Sequence, residues 1–219
     1  MPALAALAVV TLIHLGARAV APGGMVADVT PVLLMPLLLW FLVTTTTRPQ
    51  SLLVRLTVVA LVLSRLGDTL PRFVEDGSEL GFMLMLGAFL LAQLAYVAAL
   101  YPFADRSIAR TRPVLIAPYA IALVVLLVVV TLGSGFRWQV ALYGIAIMTM
   151  AVPATGLDRV ATIGAIIFVI SDALIAVRAF ADLELPLHGV WVMLTYVVGQ
   201  TLLVAAIAHR DRVDHVRRG

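Results

Sequence analysis

Eight runs of this chain are long and apolar enough to cross a lipid bilayer, and this constrains its fold more than any other feature. They cover roughly 3–20, 29–47, 52–71, 80–103, 113–133, 138–154, 159–180 and 187–208. A bilayer core about 30 Å thick takes about 20 consecutive apolar residues to cross as a helix. Inside lipid, backbone polar groups must be satisfied within the segment, which predicts helices rather than strands. The breaks carry Pro, Gly or charge: Ala21–Pro22–Gly23–Gly24, Thr47–Arg48–Pro49, Glu75–Asp76–Gly77, the stretch from Asp105 to Arg112, Gly133–Ser134–Gly135, Leu157–Asp158–Arg159 and the stretch from Asp182 to Pro186. The sixth run is short and holds Pro153. The expected fold is an all-α integral membrane protein with eight transmembrane helices in one bundle.

Composition agrees. Of 219 residues, 63% are hydrophobic and 12% charged, where a soluble domain carries about 25% charge. There is no cysteine, which excludes disulfides, thiolate metal sites and cysteine nucleophiles. Every basic residue other than histidine is an arginine, which excludes a Schiff-base lysine. The net charge of +3 sits mostly in loops and at the C-terminus, so it reads as membrane orientation and not as nucleic-acid binding. Ala17–Arg18–Ala19 faintly resembles a signal-peptide cleavage site, but a positive n-region is lacking, so the first run is expected to stay as a span.

The arginines sort by side. Arg48, Arg55, Arg106, Arg110, Arg112, Arg159, Arg210, Arg212, Arg217 and Arg218 fall on one side, and Arg18, Arg72, Arg137 and Arg178 on the other, with Arg65 inside a span. The positive-inside rule then places both termini in the cytoplasm of a multi-pass cell-membrane protein. No linker separates domains. Residues 1–208 are expected to form one membrane domain, and the basic tail 209–219 to fray near anionic headgroups.

A charge at the bilayer centre costs at least about 2.5–3.5 kcal/mol and usually faces the bundle interior. Asp68, preceded by Gly67, lies near the end of the third run, and Asp172, preceded by Ser171, lies well inside the seventh. Under this orientation both fall in the outer half of the membrane. One such aspartate is adequately explained by a structural hydrogen bond or by pairing with an arginine such as Arg65. Two at comparable depth point to a shared polar cavity. Gln93 and Tyr96 lie three apart on the fourth run, and Tyr196 and Gln200 four apart on the eighth. Either glutamine alone could be an interhelical clamp. The order Asp then Gln recurs, Asp68 to Gln93 and Asp172 to Gln200, which suggests a 4+4 pseudo-repeat. His14 is the one histidine well inside a run and His188 sits at a run edge, too few for a catalytic zinc site, and no metal or cofactor is expected. No nucleophile elbow or phosphate-binding glycine loop is present.

This pattern resembles the YhhN-like membrane family, the lysoplasmalogenases, over nearly the whole chain. The resemblance rests on Leu66–Gly67–Asp68, on the stretch from Gly87 to Tyr96, on Tyr143 with Met148–Thr149–Met150–Ala151, on the stretch from Gly164 to Ala176, and on the stretch from Leu194 to Gln200. It implies hydrolysis of the vinyl-ether bond of a lysophospholipid drawn from the membrane, with Asp68 and Asp172 as catalytic acid and base. Gln93, Tyr96, Tyr143, Tyr196 and Gln200 would bind substrate. The chain departs from the family pattern in having Thr30–Pro31 where Lys-Pro is usual, which removes a cation from the site, and Gln93 where His is frequent, a residue that cannot transfer protons at neutral pH. Two other readings use the same residues: a proton-coupled transporter or lipid-binding protein, and a structural membrane protein without chemistry.

Overall fold

A computed structural model describes residues 2–75, 78–134 and 138–217. Of the features read from the sequence, Asp76–Gly77, Gly135, Arg137 and Arg218 lie outside the described residues. The described chain is helical and contains no strand. Its helices are α1 (Pro2–Val20), α2 (Met25–Val29), α3 (Pro31–Thr45), α4 (Leu52–Thr69), α5 (Glu79–Leu100), α6 (Ile108–Thr111), α7 (Ala117–Ser134), α8 (Trp138–Leu157), α9 (Arg159–Ala181) and α10 (His188–Val216). Short 3₁₀ turns follow α4 and flank α6. Six segments among the described residues are long and apolar enough to cross a membrane: α1, α2 with α3, α5 with its extension to Thr111, α8, α9 and α10. Two of the eight expected runs fall short of that test. Helix α4 carries Arg55, Arg65 and Asp68 within its 18 residues, and the described apolar stretch around α7 covers only Pro113–Val129.

The breaks act as expected from their chemistry. Pro31 opens α3, where a missing N–H is harmless, near the start of the second run. Ser51 caps α4 by accepting from Val54 N, and Asp158 caps α9 by accepting from Ala161 N at 2.7 Å. Pro153 is accommodated inside α8, which continues to Leu157, so the sixth run is longer than its sequence suggested.

The chain divides into two compact units, one of Met1–Ala99 with Ile207–Gly219, the other of Leu100–Ala206. In the first unit α1 packs on α3 and α3 on α4. Leu34, Leu38 and Leu42 recur every four residues on α3 and are fully buried. The tail does not fray at His209. Helix α10 runs on to Val216, and Asp211 is buried, accepting from Thr47 N (2.9 Å), Thr47 Oγ1 (2.8 Å) and Ser51 Oγ (2.6 Å). The hydrogen bonds to the α3–α4 connection order this end of the helix.

In the second unit α9 packs on both α7 and α8. Helices α9 and α10 meet backbone to backbone. A Cβ on Gly164 would stand 2.8 Å from Leu203 N, and one on Gly199 would stand 2.8 Å from Phe168 N. Only glycine permits that approach. Helix α8 lies equally close to the turn after α5, where a Cβ on Gly156 would collide with the Phe103 carbonyl. Ile121, Val124, Val125 and Val128 of α7 are exposed, an apolar surface of the kind that a soluble protein would cover and a bilayer does not need to.

Candidate functional site

The second unit holds Asp172 in the middle of α9, between Ser171 and Ala173, with 9% of its surface exposed. An unpaired carboxylate there would be strongly destabilising. Helix α8 supplies a partner: Tyr143 Oη donates to Asp172 Oδ2 at 2.5 Å, and the contact is buried. Tyr143 therefore fixes the orientation of the carboxyl. The preceding residue is also held, since Ser171 Oγ donates to Val192 O of α10 at 3.0 Å. The Gly164–Gly199 contact sets the register of α9 against α10 and brings Phe168 to Tyr196, ring centres 5.8 Å apart and tilted by 58°. Tyr196 and Gln200 are both buried. His188 ties the start of α10 to α9. Its Nδ1 accepts from Leu185 N, so its Nε2 carries the hydrogen donated to Leu174 O at 3.0 Å.

The first unit holds Asp68 in the last turn of α4, half-buried. A Cβ on Gly67 would meet the Phe89 ring of α5 at 3.0 Å, so α4 and α5 are close at this point. Arg72, in the following 3₁₀ turn, donates from Nε to the Asp68 carbonyl at 2.9 Å. Gln93 and Tyr96 of α5 are fully buried. Both amide atoms of Gln93 lack a hydrogen-bond partner among the described residues. A buried amide in that state is costly, by about 1–3 kcal/mol per group, and is a ready partner for a polar ligand.

Sequence reasoning placed Tyr143 among substrate-binding residues, and the structure sets it directly on a carboxyl. It passed over the partner of His14. His14 Nδ1 lies 2.7 Å from Thr30 Oγ1, so the threonine standing at the start of α3 is one half of a buried polar pair. The available signal was weak: a histidine inside an apolar run, with Arg18 one turn further on the same face. Among the described residues no group of three His, Asp or Glu side chains could hold a metal ion.

Six long apolar segments, one of them carrying a buried, tyrosine-held carboxyl, are those of a multi-pass helical membrane protein. More narrowly, the chain belongs to the YhhN family, whose pattern it matches over residues 26–207. That match includes every candidate site residue named above except His14 and Arg18. Comparison with curated proteins and with solved structures gives no match.

Proposed function

We propose that this YhhN-family chain is a membrane-embedded hydrolase that cleaves the vinyl-ether bond of lysoplasmalogens, releasing a fatty aldehyde and a glycerophospho-alcohol. The observation that carries the reading is the buried Tyr143–Asp172 contact, an oriented carboxyl deep in an apolar helix. The proposed chemistry needs such a group. Cleavage begins when an acid protonates the alkenyl carbon next to the ether-bearing carbon. The double-bond electrons form the new C–H bond and leave an oxocarbenium ion. Water adds to that ion and gives up a proton to a base. The resulting hemiacetal then breaks its bond to the glycerol oxygen, giving aldehyde and alcohol, with the proton budget restored. Asp68 and Asp172 divide the acid and base work in this proposal, as paired carboxyls in unlike environments do elsewhere. Gln93, Tyr96, Tyr143, Tyr196 and Gln200 position the lysolipid. The proposal carries with it eight spans in one membrane domain, a 4+4 pseudo-repeat, both termini in the cytoplasm, and residence in the cell membrane.

The experiment is purification in detergent followed by mass spectrometry of products from a panel of vinyl-ether lysolipids. Aldehyde release with no gradient present is the expected result. No aldehyde from any of these lipids, together with lipid movement that collapses with a proton gradient in vesicles, would replace the hydrolase with a proton-coupled transporter using the same aspartates.

A further inference from the structure

The first unit contains a polar cluster that the proposed chemistry does not use. His14 is 1% exposed, in the middle of the apolar face of α1. The single hydroxyl hydrogen of Thr30 goes to Val26 O at 2.6 Å. The 2.7 Å contact between Thr30 Oγ1 and His14 Nδ1 therefore needs the hydrogen to sit on Nδ1. That leaves Nε2 of the neutral ring as an acceptor, and it is buried without a hydrogen-bond partner among the described residues. One helical turn on, Arg18 donates from Nη1 to Pro22 O at 2.8 Å, while its Nε is buried and likewise lacks a partner.

We propose that His14 and Arg18 form a recognition site for the glycerophosphate end of a lysolipid, His14 Nε2 accepting the free glycerol hydroxyl while Arg18 holds the phosphate. The inference rests on the lysolipid reading above and names how such a lipid would be told apart from its fully substituted counterpart. A phosphodiester offers only acceptors, which suits the Arg18 guanidinium and leaves Nε2 unmatched. A neutral donor beside the phosphate is what the ring nitrogen requires, and a lysolipid carries one where a fully substituted lipid carries an ester. A site built to hydrogen-bond a hydroxyl discriminates against an analogue without it, because the site's buried polar atom is then left unpaired. The i, i+4 spacing sets the two residues on one helix face about 6 Å apart along the axis, within the span of a glycerophosphate.

The test is binding to the full-length protein in detergent, followed by intrinsic tryptophan fluorescence. The probes are a lysolipid with a saturated ether chain, which has no vinyl ether to cleave, and the same lipid methylated on its free glycerol hydroxyl. The wild type should bind the hydroxyl form about tenfold tighter, the equivalent of one hydrogen bond. His14→Phe should bind the two lipids equally, while His14→Gln, which keeps an acceptor, should retain most of the preference. Arg18→Gln should weaken both lipids by the same factor and leave their ratio unchanged. Thermal melting checks folding, and if His14→Phe does not fold, Thr30→Val, which removes the partner that fixes the ring's hydrogen, should lower the ratio instead. Equal binding of the two lipids by the wild type, or an undiminished ratio in every folded His14 and Thr30 variant, overturns the proposal. Inorganic phosphate that binds as tightly as the lysolipid, and through Arg18, overturns it in favour of a free anion. Aldehyde release is scored separately. Hydroxyl preference without any aldehyde release defeats the hydrolase reading alone, and aldehyde release without hydroxyl preference defeats this site alone.

Discussion

Asp172 and Asp68 are the same residue in opposite settings. Asp172 sits in mid-helix on α9, is buried, and is held by a tyrosine from the neighbouring α8. Asp68 sits in the last turn of α4, is half-buried, and shares its helix with Arg55 and Arg65. A carboxyl far from a helix end must find its partner within the protein, whereas one in the last turn can reach past the end of the helix. The contrast extends to the packing. Around Asp172, glycines bring backbones together, while beside Asp68 the facing atom is an aromatic ring that can tilt. One carboxyl is thus held by a tyrosine from the neighbouring helix, and the other stands at the end of its own helix.

The strongest way to break the comparison is Asp→Asn at each position. If the two share proton transfer, each change should lower aldehyde release by about 10²–10⁴-fold. The double variant should fall little further than the worse single, because the groups act as one unit. Both variants should insert and fold, since neutral Asn is cheaper in the bilayer than Asp. Full activity in a folded single variant removes that aspartate from the mechanism.

Next in size is the contrast in packing, measured by thermal stability in detergent. Gly199→Ala drives a Cβ against the Phe168 backbone and should cost about 1–3 kcal/mol. Gly67→Ala meets only the Phe89 ring and should cost clearly less. Equal losses at the two sites would mean that the ring at Gly67 yields no more readily than the backbone at Gly199.

A smaller effect is expected from Tyr143→Phe, which removes one hydrogen bond to Asp172 and keeps the ring. Its loss should lower aldehyde release about tenfold, near the worth of one such bond, with melting temperature little changed. The smallest effect belongs to Gly87→Ala. A Cβ there meets nothing within 4 Å, and replacing a mid-helix glycine should raise stability by about 0.5–1 kcal/mol. A loss at Gly87 instead would mark α5 as a surface that something else occupies.

The helices and their limits were largely legible in the sequence, because apolar length and helix-capping chemistry are local properties. Asp172 was legible too, since a carboxyl inside an apolar run stands out. Its tyrosine was not placed on it, because Tyr143 and Asp172 lie on different helices and their meeting depends on the register of α8 against α9, which hydropathy does not encode. The same holds for His14 with Thr30, and for Asp211 with Thr47 and Ser51. The basic tail reads as a fraying end by composition alone, and Asp211, one of its two acidic residues, gains its meaning only from partners over a hundred residues away.

That last contact bears on how the protein is made. Thr47 is synthesised 164 residues before Asp211. At about 5–20 residues per second, it waits on the order of ten to thirty seconds for its partner. The connection between α3 and α4 therefore stays unlatched until Asp211 has been made, and a chain cut short before that residue would leave the Thr47 and Ser51 hydroxyls without this acceptor.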